Sequence, residues 1–108
     1  MNPFEGKVSI VTGGWAGIGR ALCEELSHRG STVIIADVND SGAKQAAAII
    51  TQRDEQAHAV HVDVTKEADV KRLIEETASQ YGHLDYIFNN AGIAIGDEAR
   101  DLSLSPAS

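Results

Sequence analysis

The chain has 108 residues, 43% of them hydrophobic and 23% charged, with a formal net charge of −7 and a single cysteine. That composition suits one ordinary domain with its own core, and the acidic balance without a basic stripe argues against nucleic acid or an anionic membrane surface as a main partner. The longest apolar run, Ala46 to Ile50, is far too short to span a bilayer, and Met1 to Glu5 lacks the basic start and apolar core of a signal peptide, so the cytoplasm is the expected location.

Strand-like runs fall at 7–12, 31–37, 57–62 and 84–89, with helical patterns between them. The first strand, Val8-Ser9-Ile10-Val11, runs into Thr12-Gly13-Gly14-Trp15-Ala16-Gly17-Ile18-Gly19. A strand, a glycine-punctuated turn and a helix together lay a pyrophosphate against the unpaired N–H groups at the helix start, where the dipole also favours an anion. Ile18, Ala21, Leu22 and Leu26 are expected to form the buried face of that first helix, which Gly30 closes, and Cys23 within it reads as a small packing residue. Trp15 reads equally well as a platform for a ligand or as a cover for the helix start.

The second strand, Thr32 to Ala36, ends in Asp37, 18 residues past Gly19. A carboxylate there suits the hydroxyls of an adenosine ribose and repels a 2′-phosphate. No Lys or Arg stands at Gly14, Trp15 or Ala16, nor at Val38 and Asn39, so NAD is favoured over NADP. Ala43, Ala46, Ala47 and Ile50 mark the buried face of a second helix starting at Asp40 or Ser41. The third helix presents Val70, Leu73, Ile74, Thr77, Ala78 and Tyr81, with Thr65 as its expected N-cap, Glu67 in its first turn and Gly82 as its stop.

The order βαβαβαβ with short links reads as an α/β fold, a Rossmann-like three-layer parallel sheet with helices on both faces. The expected strand order is 3-2-1-4, with a switch point between strands one and four where ligands of such sheets bind. A single partial domain over 1–108 is expected, with 97–108 a loop or the start of a helix.

Two rival chemistries fail on residue types. Gly19 is followed by Arg20-Ala21 where a P-loop needs Lys and Ser or Thr. Strand alternation sends His58 and His61 to opposite faces, so they do not share a metal ion, and no metal site is expected.

The fourth strand enters Asn89-Asn90-Ala91-Gly92. With Thr12-Gly13-x-x-x-Gly17-x-Gly19, Asp37 and Asp63-Val64, this resembles the short-chain dehydrogenase/reductase family over roughly residues 5–104. The resemblance implies hydride transfer between an alcohol or ketone and NAD(H). It assigns the diphosphate loop to Gly13, Gly17, Ile18 and Gly19, and the adenosine ribose to Asp37. The Asp63 carboxylate would meet the adenine amino group, the Val64 backbone its ring nitrogen, and the Asn90 backbone would border the ribose.

The family's Tyr-x-x-x-Lys pair has no counterpart here, since Tyr81 is followed at +4 by Asp85 and Tyr86 by Asn90. No catalytic residue is therefore assigned, and the chain resembles the cofactor-binding half of a longer enzyme, expected to be inactive alone. The alternative reading is a non-catalytic dinucleotide-binding or regulatory module. The fourth strand would be an apolar edge inviting association, and a homo-oligomer is one expected state.

Overall fold

β-branched residues fill the two central strands, as a sheet covered on both faces requires. In a computed structural model, which describes residues 2–15 and 17–90, the elements alternate strictly: β1 (Val8–Thr12), α1 (Gly17–His28), β2 (Thr32–Asp37), α2 (Asp40–Thr51), β3 (Ala57–His61), α3 (Glu67–Tyr81) and β4 (Tyr86–Asn89). The strands are parallel in the order β3-β2-β1-β4, as the sequence implies. Ile10 stands between Ile34 and Ile87, and Thr12 between Ala36 and Asn89, so the carboxyl ends of β2, β1 and β4 finish level. Ala16, Ala91, Gly92 and the segment 97–108 lie outside the described residues.

Alternation along the strands builds two cores. Val11, Val33, Ile35 and Ala57 pack against Cys23 and Leu26 of α1 and Ala43, Ala46 and Ile50 of α2. Val8, Ile10, Ile34 and Ala36 face Leu73 of α3 on the other side. The result is three layers, with α1 and α2 on one face and α3 on the other.

The buried face of α1 matches the expected one only in part, with Leu26 buried and Leu22 half-buried against the core. It consists of Gly19, Cys23, Leu26 and Ser27, whereas Ile18 is 80% exposed and Ala21 is exposed. The small residues win the interface because α1 lies close against the turn that precedes it. The stripe on α2 is as expected, with Ala43, Ala46, Ala47 and Ile50 all buried.

Asn39 caps α2, its Oδ1 accepting the Gly42 N–H at 2.9 Å. Replacing Asn39 by alanine removes this acceptor and is expected to destabilise the protein by about 1 kcal/mol in urea unfolding. For α3 the cap is Lys66, which makes no side-chain cap bond, and not Thr65. The Thr65 hydroxyl donates instead to Asp63 Oδ1 at 2.6 Å. The far end of α3 closes as expected on Gly82, in the left-handed conformation with φ +83°.

At the opposite end of the sheet, β4 is anchored by its leading residue. Asp85 Oδ2 accepts the Val8 N–H at 2.8 Å and lies 2.6 Å from His83 Nδ1, while the Asp85 N–H donates to Val8 O. The Val8 N–H bond, then His83, hold the Asp85 carboxyl below the ordinary carboxylate range. Asp63 is lowered likewise, first by the Thr65 hydroxyl and then by the Thr65 N–H. A carboxyl whose pKa falls on folding adds stability above its unfolded pKa and loses it as pH drops through the folded value. Stability should therefore decline once the pH falls below about 4. In urea melts from neutral to strongly acidic pH, Asp85→Asn should flatten part of that decline, and an unchanged slope would contradict the assignment.

Candidate functional site

The glycine turn begins where β1 ends. Gly13 has φ +67°, in the left-handed region, and its N–H donates to Ala36 O of β2 at 2.8 Å. Gly17 opens α1 with φ +60°, so the chain reverses into the helix at a position that favours glycine. Gly19 is needed for a different reason, close approach. A Cβ there would run into the Gly13 carbonyl and would stand 2.6 Å from Asn90 Nδ2. Turn and helix are thus in contact through a position with no room for a side chain.

The end of β4 is bound into the same turn. Asn90 Nδ2 donates to Gly13 O at 3.0 Å, and Thr12 Oγ1 donates to Asn89 Oδ1 at 3.1 Å. The resemblance assigns a role to the Asn90 backbone; what the structure shows is its side chain bracing the carbonyl at the start of the turn.

Asp37 closes β2 beside this turn and is only 9% exposed. Its Oδ1 accepts the Asn39 N–H at 2.9 Å, and Oδ2 has no hydrogen-bond donor among the described residues. One oxygen thus holds the β2–α2 turn and the other can accept from a ligand hydroxyl. One strand further out, Val62 N–H donates to Asp37 O at 3.1 Å, which carries the chain beyond β3 towards the same end of the sheet. There Asp63 is half-buried, with its Oδ1 on Thr65 and its N–H donating to Asp69 Oδ2 at 3.2 Å. Val64 is half-buried against the α3-side core.

The structure therefore joins Gly13, Gly17, Gly19, Asp37 and Asn90 along the carboxyl ends of β2, β1 and β4, with Asp63 and Val64 following β3. Ile18 is in the turn-helix junction but points largely into solvent. Two participants were missed in reading the sequence. Asn39 couples Asp37 to α2, and its place before Asp40-Ser41-Gly42 was an available N-cap signal. Gly42 lies under the Trp15 indole, a long-range pairing with no local signal.

Other reactive groups lie elsewhere or are disarmed. Burial, reinforced by Glu24, pushes the Cys23 thiol up to about 12, so it stays protonated near neutrality. Tyr86 bonds Pro3 O at the start of β4, and the Tyr81 ring lies 6.0 Å from that of His58 at the far end of α3. Both tyrosines are thus away from the glycine turn. A cavity of about 190 Å³ under the carboxyl-terminal half of α3 is walled by His58, Leu73 and Tyr81, and it shares no residue with the turn. Among the described residues no group of three or more His, Cys, Asp or Glu could hold a metal ion, and no helix is long and apolar enough to cross a membrane.

A parallel sheet ordered 3-2-1-4, with a glycine turn at the carboxyl end of its first strand, is Rossmann-like. The short chain dehydrogenase family model matches residues 7–106, and the chain belongs to this family of oxidoreductases. It is 45% identical over 93 residues to tropinone reductase-like 1 of Erythroxylum coca, covering 86% of this chain and 33% of that protein. To secoisolariciresinol dehydrogenase of Forsythia intermedia it is 44% identical over 98 residues, covering 90% of this chain and 34% of the relative. Among solved structures, a hydroxysteroid dehydrogenase from Escherichia coli superposes with a TM-score of 0.77 at 31% identity, over 80% of this chain and 36% of the other. A 7α-hydroxysteroid dehydrogenase in complex with NADH and 7-oxo glycochenodeoxycholic acid gives 0.75 at 31% identity, over 78% and 33% of the two chains. The chain spans about a third of the length of these relatives.

Proposed function

We propose that this chain is the NAD(H)-binding portion of a short-chain dehydrogenase/reductase that transfers hydride between an alcohol or ketone and the nicotinamide. The observation that carries this reading is the junction of three strand ends. The Gly13 N–H is bonded to β2, the Gly13 carbonyl to Asn90 beyond β4, and Asp37 keeps one carboxylate oxygen available beside them.

The residues fit a dinucleotide. The Gly13–Gly19 turn and the start of α1 offer backbone N–H groups to a diphosphate, and a Cβ at Gly19 would press on the Gly13 carbonyl and distort that turn. Asp37 Oδ2 accepts from the adenosine ribose, and its charge disfavours a 2′-phosphate, which supports NAD over NADP. Asp63 Oδ2 and the Val64 backbone take the adenine edge, Ile18 shields the diphosphate from one side, and Asn90 fixes the turn at the ribose. When bound, the cofactor supplies the hydride acceptor or donor. These residues bind and orient it; the proton donor to the substrate oxygen is neither Tyr81 nor Tyr86, which lie at the other end of the sheet.

A calorimetric titration of the protein with NADH, NADPH and ADP-ribose tests this reading. Saturable binding of NADH and ADP-ribose, with NADPH weaker, is expected; absence of heat with folded protein at millimolar ligand would refute it.

A further inference from the structure

Trp15 is the only tryptophan in the chain and is 38% exposed, although it sits in a turn otherwise made of small residues. Its indole is not loose. A Cβ built on Gly42 would stand 2.7 Å from the indole Cδ2 and Cε3 and 2.9 Å from Cγ, so the ring lies directly on the backbone of the first turn of α2. Gly42 is itself fixed, since its N–H donates to Asn39 Oδ1 at 2.9 Å, and the Asn39 N–H donates to Asp37 Oδ1 at 2.9 Å. An aromatic contact and two hydrogen bonds thus run from the glycine turn to the carboxylate at the end of β2.

This chain of contacts crosses the gap between the carboxyl ends of β1 and β2. The glycine turn follows β1, Asp37 ends β2 with α2 just beyond it, and the indole joins the turn to the start of α2. A substituent projecting from the 2′-oxygen of a ribose held by Asp37 would enter the corner between the turn and α2. A hydroxyl needs no further space, but a phosphate needs room and a cation. The contact brings an aromatic ring to the turn that follows the Asp37 carboxylate, and Asp40, which opens α2, is paired with Lys44 at 3.0 Å.

We propose that Trp15 is a specificity-determining residue: seated on Gly42, its indole closes the 2′ corner of the ribose site and excludes a 2′-phosphorylated dinucleotide. The inference rests on the dinucleotide reading above. It adds a steric contribution, from a side chain two residues past Gly13, to the charge repulsion of Asp37. It also explains why position 42 is glycine, because a Cβ there would lift the ring.

The test compares NADH and NADPH binding to wild type, Trp15→Ala and Trp15→Phe. Trp15→Ala should raise NADPH affinity so that the preference for NADH narrows about ten-fold, while Trp15→Phe, which keeps a ring on Gly42, should restore most of it. A general loss of structure would weaken both ligands together and leave their ratio unmoved. A second measurement needs no variant: acrylamide quenching of the single tryptophan should fall about two-fold when ADP-ribose binds, since the ligand covers the exposed edge of the ring. An unchanged ratio in folded Trp15→Ala, or unchanged quenching in the bound protein, overturns the role of Trp15 and leaves the dinucleotide reading intact. Failure of wild type to bind NADH, NADPH or ADP-ribose removes that reading, and the inference with it.

Discussion

Gly19→Ala is expected to raise the dissociation constant for NADH and ADP-ribose at least about 100-fold, a loss of about 3 kcal/mol. The single methyl cannot be absorbed by a side-chain adjustment. It collides with the Gly13 carbonyl, a backbone atom, and approaches Asn90 Nδ2 to 2.6 Å, the group that braces that same carbonyl at 3.0 Å. To relieve the contact, either the turn must open away from α1 or Asn90 must release it, and both misplace the N–H groups that would face the diphosphate. Some fold stability is lost as well, so the titration is read against circular dichroism and thermal melting. Loss of binding in a protein that still melts cooperatively is the predicted result. Undiminished affinity would mean that the diphosphate does not use this turn.

The second large effect belongs to Asp37. Removing the carboxylate in Asp37→Ala should cost about 1.5–3 kcal/mol of NADH binding, the range for hydrogen bonds to a charged group. It also frees the Asn39 N–H that Oδ1 holds at 2.9 Å, so part of the loss would come from the β2–α2 turn. Asp37→Asn separates the two roles. Its side-chain oxygen can still accept from Asn39, while the negative charge is gone. NADH should weaken less than in the alanine variant, and NADPH should bind better than to wild type because the repulsion is relieved. If both variants bind NADH as wild type does, Asp37 only shapes the turn.

Most of the topology was legible because it follows from periodicity. Strand runs of Val and Ile alternating with helical stripes specify parallel crossovers, and the Ala43–Ala46–Ala47–Ile50 stripe is buried as its spacing implies. The face of α1 was legible at Leu22 and Leu26 but not in its first turn, for a reason connected to the site. Hydropathy favours Ile18 and Ala21, but the helix lies against its own glycine turn, and only Gly19 and Cys23 are small enough for that approach. The N-terminus of α3 was misplaced because Thr65 has the chemistry of a cap but spends its hydroxyl on Asp63. Strand four begins two residues later than its apolar run suggests, since Asp85 is used to hold Val8 before the ladder starts.

The site shows the same division. Gly13, Gly17, Gly19 and Asp37 stand out in the sequence because glycine geometry and a strand-end carboxylate carry their own physical signature. The Asn90 side chain acts across 77 residues on the Gly13 carbonyl, and Trp15 acts on Gly42, so neither contact has a local pattern to betray it. Such contacts are tertiary, and only the assembled sheet brings them together.

The most direct test of the central claim is a two-dimensional ¹⁵N–¹H NMR titration of the protein with ADP-ribose. The account predicts saturable shifts concentrated at the backbone N–H groups of Gly13 to Gly19, Asp37 to Asn39, Asp63 to Val64 and Asn90, with His58, Leu73 and Tyr81 around the α3 cavity unmoved. Shifts centred on that cavity, or none at the glycine turn under saturating ligand, would contradict it.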